Sequence, residues 1–189
     1  ALMRDVSRER RAERAMSTFI AGTSNATGRA LLDAATCSLA QALGVRCAFI
    51  AEAIDSSFEL RIVSFWSGQG YEREETYEIA GEPCESVFGQ QLRCHAEQVQ
   101  EAFPESRIMR RLHAECYLGH PLRAAGGKAL GIVAIVDVNP LAEVTLATSL
   151  ISMTAARVSA EMERLESDKA LLRSRERLEL AVEGSQLAL

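Results

Sequence analysis

The chain has no apolar run near the roughly 20 residues that a membrane-spanning helix needs, and no signal peptide is visible at its start. A cytoplasmic location without membrane contact by this segment is therefore expected. Its five cysteines, Cys37, Cys47, Cys84, Cys94 and Cys116, form an odd set with no CxxC spacing. That pattern announces neither a disulfide framework nor a zinc site, and in a reducing compartment such residues read as small buried hydrophobes. No P-loop, no GxGxxG and no Ser/His/Asp order is present, which removes the signatures of phosphate cradling, dinucleotide binding and triad catalysis. A basic excess is missing as well. The net charge is −5, so nucleic acid is not an expected partner. The Arg-rich start (Arg4, Arg8, Arg10, Arg11, Arg14) is interleaved with Asp5, Glu9 and Glu13 and reads as a solvated helix rather than a binding arm. Finally, no glycine or further proline interrupts the span from Pro140 to Glu183, which predicts one long helix capped at Asn139-Pro140.

What is present fits one ordinary domain with appendages: 189 residues, 48% of them hydrophobic. Both ends fall in mid-pattern, as expected of a piece of a longer protein. Leu2 to Ile20 reads as a helix through Leu2, Val6, Met16, Phe19 and Ile20. A second helix, N-capped by Asn25 or Thr27, runs to Leu43 and ends at Gly44. Cys47–Ile54, Glu59–Trp66 and Glu75–Ile79 read as strands pairing antiparallel across short turns, the first of them Asp55-Ser56-Ser57. In the second strand, simple alternation puts Leu60, Ile62 and Ser64 on one face and Arg61, Val63 and Phe65 on the other. Pro83–Gln90 and Phe103–His113 read as helices opened by proline, with Leu92–Val99 left open between strand and loop. Cys116–Asp137 reads as a hairpin turning at Arg123–Lys128, where paired glycines permit positive φ. Its second strand, Ala129–Val136, is apolar at every position, which predicts burial on both faces.

In the last helix, Ile151, Val158, Leu165 and Leu172 recur every seven residues, with Ala155 and Met162 between them. This heptad predicts a parallel dimeric coiled coil, weakening where Lys169 and Glu176 take core positions. The alternative for its first half is packing on its own domain.

Several stretches together resemble a GAF domain: Tyr77–Glu85, Phe103-Pro104, Tyr117–Leu122, then Gly127, Leu130-Gly131 and Ala134. The likeness is to GAF domains ahead of PAS, histidine-kinase or GGDEF/EAL modules in bacterial sensors, the outputs of two-component and cyclic di-GMP signalling. Arg175–Ser185 resembles the first helix of a PAS domain. The resemblance implies an α+β fold: an antiparallel sheet of five or six strands with helices on one face and a small-molecule pocket on the other. It implies a helical linker at 1–27, the GAF domain at 28–156, a signalling helix at 157–183 and a truncated PAS-like start at 175–189.

The expected pocket residues are Phe65, Trp66, Cys84, Val87, Phe103, Leu112, Cys116, Leu118 and His120. For the aromatics the alternative is ordinary core packing. His120 stands where the family motif usually has an aliphatic residue; it reads as a hydrogen-bonded interior histidine or as a sensing group. No metal is expected. Cys116 and His120 share a face but lie roughly 13 Å apart on an extended strand, and adjacent Cys94 and His95 point to opposite faces. Cys94-His95 resembles the chromophore-attaching pair of phytochrome-like GAF domains, yet that pair is expected near Pro104, so no tetrapyrrole is assigned. No Asn-Lys-Phe-Asp-Glu signature for cyclic nucleotides is found. The expected function is sensory, with no catalysis by this segment. A small ligand or a relayed signal would act through a homodimer of terminal helices (Ile151, Ala155, Val158, Met162, Leu165, Leu172) on output domains further along the chain. Two alternatives remain: a ligand-free dimerisation module, and a GAF-type methionine-(R)-sulfoxide reductase.

Overall fold

The computed structural model describes residues 2–54, 58–72 and 75–186, with side chains from 10 to 177 within those spans. The Asp55-Ser56-Ser57 turn and the side chains of Leu2, Val6, Arg4 and Arg8 lie outside the described residues. So do the side chains from Leu178 onward, which carry most of the PAS-like resemblance.

Five helices and six strands follow in the order α1 (Leu2–Thr23), α2 (Arg29–Leu43), β1 (Cys47–Ala53), β2 (Glu59–Trp66), β3 (Thr76–Glu78), β4 (Arg93–His95), α3 (Val99–Ala102), α4 (Arg107–Leu112), β5 (Cys116–Arg123), β6 (Ala129–Asp137) and α5 (Val144–Gln186). The strands form one antiparallel sheet, ordered β3-β2-β1-β6-β5-β4. This is the expected α+β architecture. β6 sits centrally and is buried on both faces. Val133 and Ile135 enter a core shared with α1, α2 and α5, while Ile132, Ala134 and Val136 enter a second core on the opposite face. Three layers result, because each apolar face of a central strand must be covered.

Simple alternation fails in β2. The register against β1 slips between Ile50 and Ala51, so that Ile50 pairs with Ser64 but Ala51 pairs with Ile62. The extra residue, Val63, is a bulge, and a bulge reverses the parity of everything beyond it. Val63 joins the α1/α2/α5 core, whereas Phe65 falls with Leu60 and Ile62 on the opposite face. Ser64 turns to α2, where its hydroxyl donates to Asp33 Oδ1 at 2.7 Å and lies 2.9 Å from Thr36 Oγ1.

Several helix ends depart from the sequence reading. Neither Asn25 nor Thr27 caps α2. Gly28 is the N-cap, at φ 61°, and makes no side-chain cap bond; its N–H donates instead to Glu161 Oε1 on α5. One turn earlier, Arg157 Nη2 donates to Thr23 O, the last carbonyl of α1. A cation at a helix C-terminus and an anion at an N-terminus both complement the helix dipoles. The Pro83–Gln90 helix is only a 3-10 turn, Pro83–Ser86, because Gly89 takes φ 65° and turns the chain away. The Phe103–His113 helix is shorter than read, α4 at Arg107–Leu112, and a separate short helix, α3, precedes it at Val99–Ala102. Ser106, not Pro104, opens α4, and its hydroxyl accepts from Met109 N at 3.0 Å. α5 starts at Val144 rather than Pro140, since the Leu141 N–H is held by Ala96 O at 2.8 Å outside the helix.

Candidate functional site

The face of the sheet turned away from α1, α2 and α5 is covered by the Pro83–Ser86 turn, α3 and α4. At its centre Cys84 is fully buried. The hydroxyls of Tyr77 and Tyr117 both donate to its Sγ, each at 3.5 Å. Burial pushes the Cys84 thiol up to about 11, with the two tyrosine hydrogen bonds opposing that rise. Burial, then the neighbouring Cys84, holds the phenols of Tyr77 and Tyr117 well above their ordinary value. All three groups are therefore neutral at physiological pH, and the cluster is a set of weak hydrogen bonds.

Around this centre the face is filled. Phe49 and Phe65 stack across β1 and β2 with ring centroids 5.9 Å apart, and Val87, Val99 and Met109 are fully buried beside them. Phe103 and Leu112 pack at the margin, where the Phe103 ring meets His95 edge-on at 5.1 Å. Among the described residues every buried side-chain polar atom has a partner.

The covering layer is tied down by Glu82. This carboxylate is buried. It accepts from the Ser106 hydroxyl, from Arg107 N at 3.0 Å and from Ile108 N at 3.4 Å. Glu82 thus satisfies the free N–H groups at the start of α4, as an anion at a helix N-terminus should. Outside Glu82 a groove of about 700 Å³ opens between β3 and α4. Tyr77, Glu59, Glu75, Glu78, Glu105, Arg107 and Arg111 line it, and Arg111 pairs with Glu75 at 2.8 Å.

The nine expected pocket residues are not brought together. Phe65, Cys84 and Val87 lie in the covered face, with Phe103 and Leu112 at its edge. Cys116 and Leu118 lie in the opposite core, against the long helices. His120 shares their strand parity. It borders a second groove of about 440 Å³, between β5 and α5, with Nδ1 2.8 Å from Pro121 O. Trp66 also packs toward the helices, edge-on to Tyr71 at 5.2 Å. β5 carries small or apolar side chains on both faces, so its pattern does not say which face the long helices cover. Tyr77, Glu82, Ser106 and Tyr117 were missed. Glu82 and Tyr117 sit inside the motifs already singled out, and a carboxylate before a proline-led turn was the available signal.

Six antiparallel strands between a layer of long helices and a layer of short ones make a recognisable topology. The fold is that of a GAF domain. The GAF domain from a phosphoenolpyruvate-protein phosphotransferase of Coxiella burnetii superposes with a TM-score of 0.68 at 15% identity, over 84% of this chain and 98% of that one. The A. aeolicus nlh2 GAF domain in an inactive state gives a TM-score of 0.62 at 17% identity, over 84% and 98%. A free methionine-R-sulfoxide reductase from Neisseria meningitidis, solved with its substrate, gives 0.64 at 14% identity, over 80% and 88%. No protein-family model and no curated protein matches the sequence.

Within this GAF fold the cysteines are dispersed. Cys84 lies under the covering layer, Cys116 under the long helices, and Cys37 and Cys94 are half-buried. Burial raises the thiol pKa of Cys47 and Cys116 to about 11 and also lifts those of Cys37 and Cys94. Among the described residues no group of three or more His, Cys, Asp or Glu is placed to hold a metal ion. No described helix is long and apolar enough to cross a membrane.

Proposed function

We propose that this chain is the sensory or regulatory GAF domain of a signalling protein, which passes a change in its covering layer through α5 to an output domain beyond it. The observation that carries this reading is α5 itself. It runs 43 residues, and among its described side chains the buried ones end at Met162. Ile151, Ala155, Val158 and Met162 are buried in the domain's own core, so four residues of the expected dimer seam are occupied within one protomer. Leu165 is half-buried, while Leu171 and Leu172 are 70% and 59% exposed. An exposed apolar stripe on a charged helix calls for a partner helix.

The homodimer reading is retained on a different surface. Met153 on the outer face of α5 is 41% exposed and Ile20 on α1 is 50% exposed. The contacts Arg11–Glu143 at 3.7 Å and Arg157–Thr23 lay α1 beside α5 in the same direction. The proposed contacts are therefore Ile20 and Met153 beside the domain, with Leu165 and Leu172, on a different face of α5, pairing beyond it. Sedimentation of the whole chain is expected to show a dimer that Ile20→Asp with Met153→Asp dissociates. A monomer at high concentration overturns it. In the full-length protein, Leu165→Pro is expected to uncouple input from output.

The sensor's ligand is assigned to the groove between β3 and α4, because the adjoining sheet face is filled by its own side chains. That same filling favours a second reading, a ligand-free dimerisation module. Native mass spectrometry and absorption spectra of freshly purified protein separate the two: a bound small molecule supports the sensor, and its consistent absence supports the module. The reductase reading finds no support in the thiols, whose pKa values are raised rather than lowered.

A further inference from the structure

We propose that the turn between β5 and β6 is the element that couples the covering layer of the sheet to the exit helix α5; this rests on the sensory reading above. The turn stands between the two. On one side the Arg123 guanidinium reaches the chain that follows the Pro83–Ser86 turn, donating through Nη2 to Gly89 O at 2.6 Å and Gln90 O at 2.9 Å. It also braces its own turn through Gly127 O at 3.2 Å. On the other side the same turn is bonded to α5. Arg123 N–H donates to Ser159 Oγ at 3.1 Å, and Ala125 N–H donates to Glu163 Oε2 at 3.1 Å. Lys128 pairs with Glu166 at 3.1 Å. One residue thus holds the covering layer with its side chain and α5 with its backbone.

The lengths make this meeting a consequence of the fold. β6 has 9 residues, roughly 30 Å at about 3.3 Å each. α5 leaves the far end of β6 and runs back along the sheet. Roughly 20 helical residues at about 1.5 Å each cover the same distance, which brings Ser159 to Glu166 abreast of the turn. There α5 also leaves the domain, its residues 166–177 being exposed. The contacts are not equal. Lys128–Glu166 is an exposed pair and contributes little. The Arg123 and Glu163 bonds are exposed as well, but each joins a charged group to a backbone group, the stronger kind of hydrogen bond. Moving the Gly89-Gln90 segment therefore pulls on the turn, and the turn on α5. By thermodynamic linkage the reverse holds equally.

Amide hydrogen exchange of the whole chain, without any ligand, tests this. Arg123→Met is expected to speed exchange in peptides over 87–91, and with them over 124–128 and 159–166, by about fivefold or more. Glu163→Gln, which leaves Arg123 in place, is expected to speed exchange over 124–128 and over 87–91. Glu161→Gln, on the other flank of α5, is expected to leave 87–91 at the wild-type rate. Effects confined to 87–91 in the first variant, or absent from 87–91 in the second, overturn the coupling. If Arg123→Met does not fold, Glu163→Gln and Ser159→Ala decide alone. Because no ligand is present, failure here removes the turn's role and leaves the sensory reading to native mass spectrometry.

Discussion

Gly119 leaves the space that the hydroxyl of Tyr117 occupies. A Cβ at position 119 would overlap Tyr117 Oη and lie 2.8 Å from its Cζ. Tyr117 is fully buried and points at Cys84 Sγ, so it has nowhere to retreat. Gly119→Ala is expected to cost about 1–3 kcal/mol of stability, the usual effect of overpacking. Denaturant unfolding checks this. With Tyr117→Phe added, the loss is expected to be smaller than the sum of the two single changes, because the pair is in contact. Additive losses would refute the link.

Cys84 is expected to resist alkylation in the folded protein. Its thiol sits at about 11 and is fully enclosed, and the thiolate is the reactive form. Iodoacetamide at mildly alkaline pH, read by peptide mass spectrometry, is expected to label Cys37 and Cys94 first and Cys84 only on unfolding. Prompt labelling of Cys84 would show that the covering layer opens readily.

Removing the Glu82 carboxylate is expected to loosen α4. It accepts from Ser106, Arg107 and Ile108 at once. Glu82→Ala is expected to cost about 1–3 kcal/mol, since buried donors lose their partner. Ser106→Ala is expected to cost about 1 kcal/mol as a lost N-cap. Unfolding midpoints of the two single variants and the double variant are expected to be non-additive. A neutral Glu82→Ala would contradict the capping role.

The Glu161 carboxylate is expected to make stability pH-dependent in acid. Arg164, bonded to it at 2.7 Å, is the main cause of a lowered pKa; desolvation opposes the shift, and Gly28 N–H and Arg157 add to it. A depressed folded-state pKa stabilises the fold at pH above the ordinary carboxylate value of about 4.3. That contribution fades as pH falls through the lowered value, where both states are protonated. Urea midpoints measured downward from neutral pH are expected to fall less steeply in Glu161→Gln than in the parent. Identical slopes would remove Glu161 from the acid response.

Hydrophobic pattern alone decides much of this molecule. The continuous apolar run of β6 requires cover on both sides, and the absence of glycine and further proline between Pro140 and Glu183 permits one long helix. Those features settle a layered α+β sheet with a helical exit, because burial of apolar surface depends on composition and period. Which face is which depends on tertiary structure. The Val63 bulge reverses the end of β2, so Phe65 and Trp66 exchange the sides that alternation assigns. β5 is apolar on both faces, and only the path of α5 tells that Cys116, Leu118 and His120 look toward the long helices. The heptad of α5 is a true period, yet its first half is satisfied inside the protomer, since a seven-residue repeat fits a neighbouring sheet as well as a second helix. The α2 cap comes from Glu161, 133 residues away in the chain, and the covering layer meets α5 through Arg123. Such bonds are made when distant segments are brought together by packing, and no local spacing carries their trace.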